Sequence, residues 1–158
     1  MVFDLERLRT DAGSTGLNEL FIGVAGRIQR QVGAVNVVGR YYEGCFVALI
    51  ESIPSLAWLR TLSLRLASNL RRPLPVTLRC GDRSELTLDV GVGVVHLSRR
   101  PDAVEDILAE AQRMALAARS MRYRAAIADR RSGQPVAIEQ LQLAANRHRH
   151  GAVARAAS

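Results

Sequence analysis

The segment Arg40-Tyr41-Tyr42-Glu43-Gly44-Cys45-Phe46-Val47-Ala48-Leu49-Ile50 predicts two strands joined by a tight turn. Its two arms, Val35–Tyr42 and Cys45–Ile50, are rich in β-branched and aromatic residues, which favour extended backbone. Between them, Glu43-Gly44 places a glycine where a short hairpin needs a positive φ angle. We therefore expect an antiparallel hairpin here.

Hydrophobic periodicity on both sides of this hairpin predicts helices that alternate with strands. Before the hairpin we expect a strand over Val2–Leu5, a polar loop over Arg9–Gly16 and a helix with an apolar stripe from Leu17 to Val32. After it we expect a helix with Pro54 in its first turn and Leu59, Leu62, Leu66 and Leu70 facing inward, followed by strands over Pro75–Cys80 and Glu85–Leu97. The last elements are a helix that opens on an Asp102-x-x-Glu105 capping box and runs to Ala118, a strand over Arg124–Asp129 and a helix over Val136–Ala145. This order predicts an α+β fold in which helices pack on a central, mostly antiparallel sheet.

Length and composition indicate one domain. The chain has 158 residues, of which 48% are hydrophobic and 23% charged. We expect the domain to occupy residues 1–130, followed by a polar and basic extension over residues 131–158 that is partly helical or disordered. All 22 cationic side chains are arginine. The absence of lysine excludes Schiff-base enzymes, P-loop NTPases and protein kinases, because each of them needs an ammonium group.

The remaining composition predicts a cytoplasmic protein with neither a membrane segment nor a metal site built from cysteine and histidine. No apolar run approaches the length of a membrane span. Cys45 and Cys80 fit a reducing compartment, and we expect both of them to be small buried hydrophobes. Two of the three histidines, His148 and His150, lie in a terminal Arg/His run, which is not a zinc-ligand pattern.

The net charge of +7 raises the alternative of a nucleic-acid-binding domain. The arginines that would form its surface are Arg113, Arg119, Arg122 and Arg124. Seven aromatic residues, 3 Phe, 3 Tyr and 1 Trp, provide few stacking platforms for single strands. We therefore do not expect a nucleic-acid partner, and we keep the alternative for experimental test.

Asp4 is the carboxylate that best suits chemistry, because it ends a short apolar segment beside a glycine-containing loop. Such a position holds a metal–nucleotide complex when a second acid approaches it. A loop-capping aspartate is the competing interpretation. Gly91 and Gly93 do not form a phosphate loop, since they fall inside a predicted strand and indicate a close backbone approach or a bulge.

Four segments in order resemble the GGDEF family, the diguanylate cyclase domains. The hairpin is similar to the family's Arg-Tyr-Gly-Gly-Asp/Glu-Glu-Phe signature, and the resemblance covers about residues 2–128. The family's Asp-Leu-Asp-x-Phe-Lys strand end is resembled by Phe3-Asp4-Leu5-Glu6-Arg7-Leu8-Arg9. Its Thr-x-Ser-x-Gly-x-Ala strand is resembled by Leu86-Thr87-Leu88-Asp89-Val90-Gly91-Val92-Gly93. Its Leu-x-x-Ala-Asp … Ala-Lys helix is resembled by Leu108-Ala109-Glu110-Ala111-Gln112, continuing to Ala118-Arg119. The resemblance implies the palm-like fold of nucleotide cyclases.

In active members of the family, two half-sites each hold GTP with two divalent ions, and a 3′-hydroxyl attacks an α-phosphate to form cyclic di-GMP. The segment Tyr42-Glu43-Gly44-Cys45-Phe46 stands at the signature. Asp4 matches one metal ligand, Gly44 replaces the other, and Cys45 replaces the acid that contacts guanine. Tyr42 and Glu43 replace the two glycines that let the backbone approach the nucleotide. A thiol does not take over the role of a carboxylate.

The resemblance also assigns weaker positions. Arg9 and Arg119 match the family's lysines and, with Asp4 and Glu43, are the candidate nucleotide-binding residues. The base-contacting asparagine falls near Ala12 or Gly13, and the Gly-Asp pair that follows it falls on Leu17-Asn18. The inhibitory product site, Arg-x-x-Asp, is lost at Gly33 and Asn36. The chain begins inside the family's first strand and lacks its leading Asp-x-Leu-Thr helix, so we expect a natural truncation or an excised fragment.

The resemblance thus predicts a GGDEF-like domain without catalytic activity that acts in bacterial cyclic di-GMP signalling. We expect its partner to be another protein or a second copy of itself, and we disfavour GTP and cyclic di-GMP as ligands. We expect no cofactor, and Mg²⁺ at Asp4 only if GTP binds. The enzymatic alternative is residual GTP binding or diguanylate cyclase activity through Asp4 and Glu43, metal-dependent and abolished by Asp4→Ala.

Overall fold

The computed structural model describes residues 1–97, 103–128 and 135–138. Within them, helices and strands alternate as an α+β fold, which confirms the predicted fold class. The helices are α1 (Leu5–Val32), α2 (Leu56–Leu70) and α3 (Val104–Ala118). The strands are β1 (Val37–Tyr42), β2 (Cys45–Leu49), β3 (Leu74–Thr77), β4 (Arg83–Leu86), β5 (Val92–Val94), β6 (Ala125–Ala128) and β7 (Pro135–Ala137).

The strands form three small sheets. β1 and β2 make the predicted antiparallel hairpin, and β3 and β4 make a second one. In the third sheet β6 lies between β5, which runs parallel to it, and β7, which runs antiparallel. Helix α1 packs on β3 and on α2, while α3 packs on β5 and β6. The sheets are therefore held together largely through the helices.

The predicted strand over Val2–Leu5 is wrong, and so is the predicted loop over Arg9–Gly16. Val2 makes an isolated antiparallel bridge to Val90, and α1 already begins at Leu5. Extended backbone ends at Asp4, which adopts a left-handed conformation with φ 56° and ψ 38°. The polar residues after it are helical up to Gly13, where a φ of 66° breaks the helix before it continues.

The predicted strand over Glu85–Leu97 is divided. β4 ends at Leu86, and the residues after it pair with the start of the chain instead. The Phe3 amide donates to the Asp89 carbonyl at 2.9 Å. β5 then pairs with β6, and the Val92 amide donates to the Arg124 carbonyl at 2.8 Å. Backbone partners far away in sequence interrupt the strand, although its hydrophobic alternation is continuous.

One predicted helix start needs correction. Helix α2 begins after Pro54, with Ser55 as its cap, because the Ser55 hydroxyl accepts a hydrogen bond from the Trp58 amide at 3.1 Å. Helix α3 begins at Val104 with Ala103 at the cap position, and the Ala103 side chain makes no capping hydrogen bond. Asp102 of the predicted Asp102-x-x-Glu105 box lies outside the described residues.

The last predicted helix, Val136–Ala145, is also wrong where the structure describes it. Pro135–Ala137 is strand β7 because it completes the backbone pairing of β6, and Ile138 after it is fully buried. The third sheet thus takes in residues beyond position 130. The remainder of that predicted helix and the predicted polar, basic end lie outside the described residues.

The main core surrounds α1, and the predicted apolar stripe on this helix is confirmed. Its buried side chains include Leu17, Leu20, Phe21, Val24, Ile28 and Val32. Gly93 lies so close to α3 that a Cβ there would overlap the Ala111 carbonyl oxygen, which confirms the predicted backbone approach. Cys45 is buried as predicted, whereas the prediction for Cys80 is wrong: it is exposed, and its thiol donates to Asp82 at 3.4 Å.

Candidate functional site

The turn of the β1–β2 hairpin is packed against the start of the chain. Gly44 has a φ of 72°, as the turn requires, and its carbonyl accepts a hydrogen bond from the Val2 amide at 2.7 Å. A Cβ on Gly44 would lie 2.8 Å from Leu5 Cδ1 and 3.1 Å from the Val2 carbonyl oxygen. Because no real Cβ makes the closer of these contacts, no acidic side chain fits at position 44 unless Leu5 moves.

The residues that flank the turn differ in how deeply they are buried. Cys45 is buried, and Phe46 packs edge-to-face against Phe21 with ring centroids 5.9 Å apart. Tyr42 is partly exposed and packs edge-to-face against Tyr41 at 5.4 Å. Burial raises the pKa of the Tyr42 phenol, and the neighbouring Cys45 thiol raises it further. These contacts place both aromatic residues against the hairpin and the core.

Glu43 turns toward α1 and pairs with Arg9. Arg9 Nη2 lies 2.6 Å from each of the two Glu43 carboxylate oxygens. Arg9 Nη1 also donates to Glu6 at 2.8 Å, so one guanidinium joins two carboxylates. Hydrogen bonding to Glu43 is the main reason why the pKa of Arg9 is raised above its ordinary value. The anionic charge of Glu43 is therefore compensated within the protein.

Asp4 is held by the end of α3. Arg119, which follows the last residue of that helix, donates from Nη2 to Asp4 Oδ1 at 2.9 Å. The same guanidinium donates from Nε to Asp89 Oδ2 at 2.7 Å and lies over the Phe3 ring, 4.7 Å from its centroid. Hydrogen bonds to Asp89, and then to Asp4, raise the pKa of Arg119. Asp4 is thus the partner of an arginine rather than a free carboxylate.

Asp89 is the member of this cluster that the sequence interpretation missed. It pairs with Arg119 and also with Arg124, whose Nη1 lies 3.3 Å from Asp89 Oδ1. The signal that points to Asp89 is a single acidic residue in the run Leu86-Thr87-Leu88-Asp89-Val90. With Asp89 added, the cluster around Arg119 is complete, and the four candidate nucleotide-binding residues form two ion pairs, Arg9 with Glu43 and Arg119 with Asp4.

The donor set around Asp4 does not suit a divalent metal ion. Magnesium needs oxygen ligands that are free to coordinate it. Asp4 and Asp89 are paired with arginine, and neither Gly44 nor Cys45 supplies a carboxylate. In the described part of the chain no group of three or more His, Cys, Asp or Glu side chains is placed to hold a metal ion.

The segment aligned with the family's base-contacting residues borders an open cavity of about 460 Å³. The cavity lies at the break in α1, and its lining residues are Ala12, Gly13, Ser14, Thr15, Thr77, Leu78 and Arg79. It contains hydroxyl groups and a guanidinium but neither a carboxylate nor a side-chain amide. Leu17 of the aligned Leu17-Asn18 pair is buried in the core.

The two positions aligned with the inhibitory site end helix α1. The Gly33 amide donates to the Gln29 carbonyl at 3.0 Å, and the Asn36 side chain donates to the Val32 carbonyl at 2.6 Å. Both residues therefore satisfy carbonyl groups at the end of the helix, as capping residues do.

Among the arginines of the nucleic-acid alternative, three interact with nearby side chains. Arg113 pairs with Glu110 at 3.6 Å, and Arg124 pairs with Asp89. Arg122 lies over the Tyr123 ring at 5.1 Å. Together with the Arg119 pairs, the ion pairs compensate the charges of Arg113, Arg119 and Arg124, whereas the neutral Tyr123 ring does not neutralise Arg122.

No helix in the described residues has both the length and the apolar character of a membrane span. No family model and no curated protein matches the sequence. The structure is similar to that of a delta-N mutant of TpbB (YfiN) from Pseudomonas aeruginosa PAO1 comprising only the GGDEF domain. The TM-score is 0.66 at 19% sequence identity, and the similarity covers 81% of this chain and 73% of that chain. The chain therefore has the fold of a GGDEF domain.

Proposed function

We propose that this protein is a GGDEF-like domain without diguanylate cyclase activity, and that it acts as a regulatory or interaction module in bacterial cyclic di-GMP signalling. The observation that carries this proposal is the lack of an acid at the hairpin turn, since neither Gly44 nor Cys45 carries a carboxylate. At Gly44, where the resemblance implies a metal ligand, the Leu5 side chain occupies the space that a Cβ would need. A reaction that joins two GTP molecules with the help of two divalent ions would therefore find no carboxylate at position 44 to hold a metal ion.

The ion pairs of Asp4 and Glu43 support the same proposal. An enzyme that uses these carboxylates for a magnesium–GTP complex would have to release Asp4 from Arg119 and Glu43 from Arg9. These pairs are solvent-exposed and individually weak. They nevertheless neutralise the two anions that the metal would need, and Arg119 remains bound to Asp89 as well.

A domain that keeps this fold without its chemistry retains surfaces that other molecules can bind. We expect the partner to be a second protein or a second copy of the chain, and we expect neither a resident cofactor nor a nucleic acid. Sedimentation velocity distinguishes the two kinds of protein partner: a concentration-dependent dimer indicates self-association, and a monomer at all concentrations indicates a different protein.

The residual enzymatic alternative has one observation in its favour, the cavity beside Gly13. Its volume of about 460 Å³ lies in the range of small-molecule sites, and the segment that lines it aligns with the base-contacting positions of the family. Asp4 does not line this cavity, so a GTP molecule that used both would have to extend from the cavity to Asp4. Its binding would require magnesium and would be lost in Asp4→Ala.

Calorimetric titration of GTP in the presence and absence of magnesium tests the two functions against each other. Our proposal predicts no magnesium-dependent component, in the wild type or in Asp4→Ala. A magnesium-dependent heat that Asp4→Ala abolishes would establish the enzymatic alternative as a binding activity, and formation of cyclic di-GMP would establish it as catalysis.

A further inference from the structure

Two long stretches of the sequence carry arginine but no acidic residue. No aspartate or glutamate occurs between Glu19 and Glu43 or between Glu51 and Asp82. The same two intervals contain Arg27, Arg30, Arg40, Arg60, Arg65, Arg71, Arg72 and Arg79. Because α1 and α2 pack against each other, these acid-free segments adjoin in the fold.

A cavity of about 390 Å³ lies at this junction. It is lined by Arg27, Arg30, Gln31, Asn69 and Arg72, which are three guanidinium groups and two side-chain amides. This volume is in the range of small-molecule sites. Every lining side chain can donate hydrogen bonds, and none of them is acidic or aromatic. The lining thus suits a compact anion, and it provides no aromatic ring on which a nucleobase stacks.

Arg27 holds the wall of this cavity in place. Its Nη1 donates to the Asn69 carbonyl at 2.9 Å and also to the Arg72 carbonyl, while its Nη2 donates to the Pro73 carbonyl. These carbonyls are at the carboxyl end of α2, where a cation is favourable. Carbonyl dipoles carry only partial charge, so Arg27 keeps much of its positive potential toward the cavity.

The positive potential is not compensated by ion pairs. Among the described residues, no acidic side chain forms a salt bridge with Arg27, Arg30 or Arg72. Burial lowers the pKa of the Arg27 guanidinium, and the neighbouring charges of Arg30 and Arg72 lower it further. Three like charges converging on one cavity repel one another, and a bound anion relieves that repulsion.

We propose that this junction cavity is a binding site for a phosphate-bearing anion, with Arg30 and Arg72 as the side chains that contact the phosphate oxygens. The planar guanidinium group presents paired donors that match phosphate geometry. Arg27 acts as a positioning residue, since its hydrogen bonds fix the end of α2. The proposal does not involve Asp4 or the hairpin and is independent of the function proposed above.

Calorimetric titration of the full chain with inorganic pyrophosphate tests this site. Arg30→Gln and Arg72→Gln keep a polar side chain and remove the charge at exposed positions, so we expect the fold to be retained, and far-ultraviolet circular dichroism verifies this. We expect the wild type to bind pyrophosphate and each variant to bind it about tenfold more weakly. Arg65→Gln is the matched control, because Arg65 is an exposed arginine of α2 that does not line the cavity, and we expect its affinity to be unchanged.

Three results would overturn the proposal. The first is the absence of pyrophosphate binding by the wild type. The second is an equal loss in Arg65→Gln and in the cavity variants, which would indicate diffuse attraction to the acid-free surface. The third is a single-stranded oligonucleotide that binds to this surface and is not displaced by pyrophosphate, which would indicate a nucleic-acid interface.

Discussion

Leu5 Cδ1 lies 2.8 Å from the position that a Cβ on Gly44 would occupy. This relationship joins the first turn of α1 to the hairpin turn, two segments that are far apart in sequence. Glycine at position 44 provides the positive φ, and it also leaves room for the Leu5 side chain, which a Cβ would force to move. The same packing fills the space beside position 44, where the resemblance implies a metal ligand.

Gly44→Ala should destabilise the protein by more than the cost of the left-handed backbone conformation alone. A left-handed conformation costs a non-glycine residue about 1–2 kcal/mol, and the contact with Leu5 adds to that cost. Gly81→Ala is the control, because Gly81 also has a positive φ of 93° but no atom lies within 4 Å of its Cβ position. Urea denaturation measures both losses, and equal losses would show that the space beside Leu5 is not restricted.

Gly93→Ala should destabilise the packing of α3 on β5. The new methyl group would overlap the Ala111 carbonyl oxygen, and overpacking of this kind costs about 1–3 kcal/mol. Gly39→Ala in β1 serves as the control, since a Cβ there has no neighbour within 4 Å. If the denaturation midpoint falls no further for Gly93→Ala than for Gly39→Ala, the close approach of helix and strand is wrong.

Arg119→Gln should lower the free energy of unfolding more than Arg122→Gln does. The first substitution removes the donors to Asp4 and Asp89, whereas the second removes only a contact with the Tyr123 ring. The difference should shrink at high salt, because exposed ion pairs are screened. Denaturation of both variants at low and high salt measures this, and a difference that salt does not change would argue against the ion pairs.

The stability of the protein should depend on the ionisation of Tyr42 at alkaline pH. Its pKa is raised above the ordinary value of about 10, so the folded state holds the phenolic proton more tightly than the unfolded state does. This contribution is fully present below pH 10 and is lost as the pH rises through the higher folded-state value. Tyr42→Phe should reduce the alkaline loss of stability, and Tyr123→Phe, which leaves the Tyr42 phenol in place, should not.

Local sequence patterns predicted the elements whose determinants are local. The hairpin follows from Glu43-Gly44 and the β-branched residues beside it, and the buried stripe of α1 follows from its 3.6-residue period. The patterns failed where distant partners decide. Asp89 and its neighbours pair with the start of the chain instead of extending β4, and Pro135–Ala137 is a strand because β6 offers it backbone partners.

Apart from Asp4, the candidate site was accessible from sequence only through the resemblance. That comparison added Glu43, Arg9 and Arg119, but ion pairs between residues 34 and 115 positions apart cannot be derived from spacing. Asp89 was missed because its role depends on Arg119 reaching it from the end of α3. The cluster of Arg27, Arg30 and Arg72 was missed because it forms only when α1 and α2 pack together.

The most direct test of the central claim is incubation of the wild-type protein with GTP and magnesium, followed by chromatographic detection of cyclic di-GMP. A sample without protein gives the background, and Asp4→Ala shows whether any product depends on the remaining family carboxylate. We predict that the wild type forms no cyclic di-GMP above that background. Product that accumulates with time and disappears in Asp4→Ala would contradict the account.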